Sequence, residues 1–254
     1  MPEDFLTNKT ALVTSASRAL GASIAKELAH RGAQVAVNYH SSEAEAKALV
    51  DAMTEATGEE HVAVWGNTEN GEGIRELVRN ASEALGGGID ILINNSGPYS
   101  GTPLIELSEA EWDRVMDANL KASFIASQMC VPFMRDRGWG RIVNLSAVSA
   151  SVRNRSVYGL AKGGVEMLTE ELAWECAPEI TVNAVAPGQI AESAEDMAEL
   201  NPTWAEEARN RTPLGRLGHR AEIASVVALI CGPAFDMLTG ATIPLDGGLR
   251  FHTF

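Results

Sequence analysis

Short aliphatic and β-branched runs alternate with longer amphipathic stretches along nearly the whole chain, and no other feature limits the possible folds as tightly. Thr10-Ala-Leu-Val-Thr14 reads as a first strand, followed by a helix from about Leu20 to Arg31. Gln34–Tyr39 reads as the second strand, with a helix from Glu43 to about Ala56, and His61–Trp65 as the third, with a helix over about Gly73 to Leu85. Ile89–Ile93 reads as the fourth. Ser108 then caps a helix that runs into another reaching about Arg137. Arg141–Leu145, Ile180–Val185 and Ala241–Leu245 are further strands, with a long helix from Tyr158 to Cys176. Strands with so few polar residues suit a parallel sheet buried on both faces. Repeated strand–helix units predict an α/β fold: an open, doubly wound parallel sheet with helices on both faces and its ligand site beyond the carboxyl ends of the strands. No linker-like stretch or repeat divides the chain, so residues 1–254 are expected to form a single domain. Gln189 to Arg216, with Pro202, Trp204 and Pro213, is the longest excursion from the rhythm. Such a segment reads as a substrate loop, the alternative being a local packing excursion.

Charge and composition exclude several classes of function. The net charge of −14 opposes nucleic-acid binding, which needs a basic stripe, and also opposes docking to anionic membranes. Met1-Pro2-Glu3-Asp4 lacks the apolar stretch of a signal peptide, and no apolar run approaches the ~18 residues of a membrane span. Cys130, Cys176 and Cys231 are far apart and lack metal-ligand spacing, so no metal is expected. Reduced core thiols and a cytoplasmic location are.

The motifs that carry chemistry fall at the ends of the predicted strands. Thr14-Ser-Ala-Ser-Arg-Ala-Leu-Gly21, which includes Ser15, Ser17, Arg18 and Leu20, joins a strand to a helix N-terminus. Backbone N–H groups and the helix dipole can hold a pyrophosphate there. Asn94-Asn95-Ser96-Gly97 ends the fourth strand and Asn144-Leu-Ser146 the fifth. Tyr158 and Lys162, at i and i+4, share one helix face. A free tyrosine has a pKa of ~10, and a nearby ammonium lowers it, so this pair can act as general acid in carbonyl reduction and as base in the reverse direction.

These motifs, together with Asn119 after Trp112-Asp-Arg-Val, Asn183-Ala-Val-Ala-Pro-Gly188 and Leu245-Asp-Gly-Gly248, resemble the short-chain dehydrogenase/reductase family from Lys9 to about Gly248. The resemblance implies a Rossmann-type domain with Tyr158 as proton donor. It implies that Lys162 lowers the tyrosine pKa and holds the nicotinamide ribose, and that Asn119 anchors a relay water. Asn95, Ser96 and Gly97 would line the cofactor, with Pro187, Gly188 and Ile190 beside the nicotinamide. The chain departs from the family pattern at several positions. Ser15 and Ala19 replace glycines, and Asn67 replaces an acid, although its amide can still bond adenine. Glu192, next to Ser193, stands where a threonine is usual. Ala147 occupies the usual catalytic-serine position, and the stretch to Tyr158 is two residues short. Ser146 is assigned the role of polarising the carbonyl, with Ser149 or no serine as alternatives.

The second strand ends in Asn38-Tyr-His-Ser-Ser42, without the acid that binds a ribose 2′-hydroxyl in NAD sites. Arg18 is a planar cation suited to a 2′-phosphate, with His40 and Ser41 as helpers, so NADP(H) is the expected cofactor. The leading expectation is therefore NADPH-dependent reduction of a small ketone or 3-oxoacyl carbonyl. The family's pteridine reductases are an alternative, suggested by Asn94–Leu104 and Ala177–Asn183. A non-catalytic nucleotide-sensing homologue is another, suggested by Ser15, Ala19, Ala147 and Glu192. The resemblance, with the apolar content of Leu120–Arg137 and Tyr158–Cys176, implies a homo-oligomer, a tetramer.

Overall fold

The computed structural model describes residues 4–95, 97–152, 156–194 and 202–251. Its centre is a seven-stranded parallel sheet in the order β3-β2-β1-β4-β5-β6-β7. The strands are β1 (Thr10–Val13), β2 (Gln34–Tyr39), β3 (Val62–Trp65), β4 (Ile91–Asn94), β5 (Gly140–Leu145), β6 (Ile180–Pro187) and β7 (Thr242–Leu245). Strand order reverses between β1 and β4. A crevice opens at that switch point beyond the strand ends, as expected of a doubly wound sheet.

Side-chain alternation sends the core to both faces of the sheet. Val13, Ile91, Ile93 and Val143 pack on one face against α1 (Ala19–His30) and α9 (Arg220–Ile230), with α2 (Glu43–Thr57) beside them. Leu12, Leu92 and Ile142 pack on the other face with α3 (Gly71–Ala84), α5 (Ala122–Asp136) and α7 (Val157–Cys176). A single strand such as β1 thus feeds two cores, which explains the near-absence of polar residues in it. β4 starts two residues later than the sequence suggests, because Asp90 serves the strand edge: its carboxylate accepts from Thr10 N at 2.9 Å and pairs with Arg137 at 2.9 Å.

Side-chain caps set the starts of two helices beside the crevice. Ser108 accepts from Glu111 N at 3.2 Å to start α4 (Glu109–Met116), and Ser156 accepts from Gly159 N at 3.1 Å to start α7. The second cap places Tyr158 in the first turn of α7, at the mouth of the crevice. Between α4 and α5 the helix widens into one π-helical turn, Asp117–Lys121, with Asn119 inside it. The remaining helices are α6 (Ser149–Val152) and α8 (Trp204–Arg211). The segment from Gln189 to Arg216 carries α8 and a short 3₁₀ turn, Ala191–Ser193, and residues 195–201 of it lie outside the described part. No helix among the described residues is long and apolar enough to cross a membrane.

Candidate active site

The β1–α1 turn keeps a glycine-like backbone without the glycines. Ser15 (φ 49°) and Ala19 (φ 52°) both sit in the left-handed region, which costs an L-residue roughly 1–2 kcal/mol. Buried Asn38 holds the turn: its side-chain oxygen accepts from Ser15 N at 2.8 Å, and its amide donates to Gly66 O at 3.1 Å. Asn95 braces the other side by donating to Thr14 O and Ser15 O, both at 3.2 Å. Gly21 has no room for a side chain, since a Cβ would lie 2.6 Å from both Asn95 Nδ2 and Ser15 O. α1 begins at extended Arg18, with no side-chain cap and no acid in its first turn, so its N-terminal N–H groups favour an anion.

Beside this turn lies a pocket of about 390 Å³. Ser15, Arg18, Leu20, His40, Asn95 and Gly97 line it, as the motifs suggested. Ser17, Ser41 and Asn67 are not among its walls. Asn67 uses its side-chain oxygen on Glu69 N at 2.8 Å, an Asx-type turn, and the neighbouring wall is formed by Thr68 and Glu69 instead. Ser96 lies outside the described residues.

A second pocket of about 340 Å³ follows at the ends of β5 and β6. Tyr158, Pro187, Gly188 and Ile190 line it together with Ala147 and Ser149. Burial, with Tyr99 adding to it, pushes the Tyr158 phenol up to about 12. Burial also pulls Lys162 down to about 8. The expected lowering of the tyrosine by the lysine is therefore corrected. The Lys162 ammonium donates to Leu145 O at 2.7 Å and lies 5.4 Å from the centre of the Tyr158 ring, so desolvation dominates the phenol. At neutral pH this leaves a protonated phenol, the form a proton donor needs.

The assignment of Ser146 is also corrected. Its hydroxyl is buried against α7, donating to Glu166 Oε1 at 2.8 Å, and it does not line the pocket; Ser149, in α6, does. Glu192 likewise turns away, accepting from Arg220 N at 3.2 Å at the start of α9, and Ser193 takes its place on the pocket wall. Asn119 donates to Val115 O at 2.9 Å and to Pro98 O at 3.1 Å. Its buried side-chain oxygen has no protein partner among the described residues, which suits an acceptor for a relay water. Gly97 (φ 132°) makes this packing possible, because a Cβ there would lie 1.9 Å from that oxygen.

Two positioning residues escape motif reading. Asn38 is one; Glu111 is the other, accepting from Ser100 Oγ at 2.5 Å and Thr102 Oγ1 at 3.2 Å. It thereby ties down the loop that sets Tyr99 edge-on to Tyr158, with ring centres 5.3 Å apart. Pairing of a polar residue with a distant loop leaves no local sequence signal. Among the described residues no group of three or more His, Cys, Asp or Glu could hold a metal ion. A larger cleft of about 790 Å³, lined by residues such as Lys9, His30 and Glu59, lies at the amino-terminal ends of β1 and β2, away from the strand ends that carry the motifs.

Comparison with known proteins agrees with this geometry. Residues 15–250 match the family model described as "Enoyl-(Acyl carrier protein) reductase". The chain is 38% identical over 246 residues to a 3-oxoacyl-[acyl-carrier-protein] reductase of Staphylococcus epidermidis, covering 95% of this chain and 99% of the relative. A short-chain dehydrogenase/reductase from Serratia marcescens superposes with a TM-score of 0.88 at 34% identity, covering 97% of this chain and 99% of that one. A blue fluorescent protein from a metagenomic library, crystallised in complex with NADPH, gives a TM-score of 0.87 at 33% identity, covering 96% and 99%. With the parallel sheet, the strand-end crevice and the paired Tyr158 and Lys162 in place, the chain belongs to the short-chain dehydrogenase/reductase family of oxidoreductases.

Proposed function

We propose that this oxidoreductase uses NADPH to reduce the carbonyl of a small ketone or 3-oxoacyl substrate to an alcohol. The observation that carries the reading is the placement of the Tyr158 phenol on the pocket wall, one helical turn from buried Lys162. The name of the Staphylococcus relative and the NADPH held by the metagenomic protein support the same chemistry. The residues fit the cofactor. Arg18 and His40 suit a 2′-phosphate, the α1 N-terminus suits the pyrophosphate, and Pro187, Gly188 and Ile190 suit the nicotinamide end. Bound NADPH supplies the hydride. Tyr158 gives its proton to the carbonyl oxygen, Ser149 donates a hydrogen bond to the same oxygen, and Asn119 holds a water that returns the proton.

The test is NADPH oxidation with a panel of ketones, β-ketoesters and oxidised pterins. Tyr158→Phe should lower turnover by about 10²–10⁴-fold and leave NADPH binding intact. Arg18→Ala should weaken NADPH far more than NADH, through loss of a charge-assisted bond. Equal losses for both cofactors would refute the 2′-phosphate assignment. The exposed Tyr99 ring beside Tyr158 also fits a flat heterocycle, and turnover restricted to pterins would favour a pteridine-type reductase. NADPH binding without turnover of any panel member would favour the nucleotide-sensing reading.

A further inference from the structure

Just beyond the last ladder pair of β2 and β3, a side chain takes over from the backbone. Tyr39 and Trp65 are partners in that ladder and the last residues of their strands. Gly66 N donates to Tyr39 O at 2.9 Å, and the Asn38 amide donates to the same oxygen at 3.1 Å. The next carbonyl along the chain is that of His40. The Trp65 indole takes it, with Nε1–H donating to His40 O at 3.1 Å. The imidazole and indole rings also lie together, 6.1 Å between centres and tilted by 57°. Tryptophan suits this place because its indole joins a donor to a broad apolar ring. At 43% exposed, Trp65 is not a core residue.

His40 is thus held twice by one side chain. A fixed carbonyl sets the backbone at His40, and the indole limits where the imidazole can turn. His40 lines the cofactor pocket with Arg18, and Glu69 shares that wall. A phosphate beside a carboxylate depends on donors already aimed at it, because each mobile donor must be ordered when the ligand arrives. The hold on His40 removes part of that cost before binding.

We propose that Trp65 is a further positioning residue, one that serves the 2′-phosphate of the cofactor. Through its hold on His40 it presets the imidazole toward the phosphate and so contributes to the choice of NADPH over NADH. The inference rests on the NADP(H) reading above and deepens it with a residue that acts through His40 instead of through the phosphate itself.

Calorimetry on the full chain compares NADPH with NADH, which differ only in the 2′-phosphate. Trp65→Phe keeps an aromatic ring and removes the N–H. It should weaken NADPH by about three- to tenfold, the usual worth of one hydrogen bond, and leave NADH nearly unchanged. His40→Ala should cost at least as much, and adding Trp65→Phe to it should change little further, since residues that act through one another are non-additive. A purely structural role for Trp65 would weaken both cofactors alike, and that result would overturn the proposal, as would unchanged NADPH binding in Trp65→Phe. Should the variant fail to fold, the wild type still answers. With isotope-labelled tryptophan, the Trp65 indole N–H resonance should move with adenosine 2′,5′-bisphosphate and far less with 5′-AMP. Equal movement with the two ligands, or none, would also overturn the proposal. Failure of the cofactor reading has a different signature: the wild type would bind NADPH no better than NADH, and the inference would fall with it. Failure of the inference alone leaves a wild-type preference that Arg18→Ala removes and Trp65→Phe does not.

Discussion

Ser146 and Glu166 are joined by a 2.8 Å hydrogen bond in which the serine hydroxyl donates to the carboxylate. The bond ties the end of β5 to α7 one turn beyond Lys162, whose ammonium holds the adjacent Leu145 carbonyl at 2.7 Å. Burial pushes Glu166 up, and the Ser146 bond works in the opposite direction. The pair therefore latches the strand to the helix, and it takes the Ser146 hydroxyl away from any substrate.

The two serines should consequently behave differently. Ser149→Ala removes a hydroxyl that lines the pocket with Tyr158 and, as the proposed carbonyl donor, should lower kcat by roughly the 10²–10³-fold typical of a lost oxyanion donor. Ser146→Ala breaks only the latch and should act mainly on stability, by about 1 kcal/mol for one hydrogen bond. Parallel kcat and thermal-melting measurements on both variants check this. A large loss of kcat in Ser146→Ala with Ser149→Ala unaffected would reverse the assignment.

Much of this was legible in the sequence, and the failures have local causes. The strand–helix rhythm predicts the sheet because β1, β4 and β5 send apolar residues to both faces. Tyr158 and Lys162 are legible because a helix fixes their shared face. Ser146 is misread because its partner, Glu166, stands twenty residues further on along α7 and leaves no local signal. α9 follows His219, whose N–H is taken by Glu222 at 2.9 Å, and that N-terminal signal goes unread inside a long irregular segment. Asn67 spends its side-chain oxygen on a two-residue turn, a local bond that the strand-end motif does not announce.

The pH dependence of turnover should reflect Lys162. Burial pulls its ammonium down to about 8, while Tyr158 is pushed up to about 12, so the tyrosine remains a proton donor well above neutrality. If reduction needs the lysine charge, kcat/KM should be level near pH 7 and fall as pH rises through about 8. A profile of kcat/KM with excess NADPH measures it. A curve level up to pH 10 would show that the lysine charge is dispensable.

Assembly is expected to cover one face of α7. Leu160, Met167 and Trp174 follow one another at seven-residue spacing, which keeps them on one helix face, and they are 50%, 69% and 86% exposed. Phe124, on α5, is also 43% exposed. We expect a homotetramer that buries this stripe, with Trp174→Glu shifting the mass toward smaller species. Light scattering at micromolar concentration checks both statements, and a monomeric wild-type protein would refute the first.

The last prediction concerns stability below neutral pH and a histidine far from the pocket. His61 is buried, and its Nδ1 accepts from Val35 N at 3.1 Å. Nε2 must then carry the proton and donate to Thr57 Oγ1 at 3.0 Å, while the threonine hydroxyl donates to Met53 O at 2.9 Å. A second proton on the ring would set an N–H against the Val35 N–H, with nothing at Nδ1 to accept it. Burial accordingly pulls the pKa of His61 below its ordinary 6.5, although Glu59 opposes the shift. Between the folded value and 6.5 the unfolded chain binds more protons, so stability is full above about pH 6.5 and falls as pH drops below it. The slope from one such group is at most about 1.4 kcal/mol per pH unit. Melting curves from pH 7.5 down to 5 should show this decline in the wild type and a weaker one in His61→Gln, whose side chain does not titrate. Identical slopes in the two proteins would mean that His61 is not the group responsible.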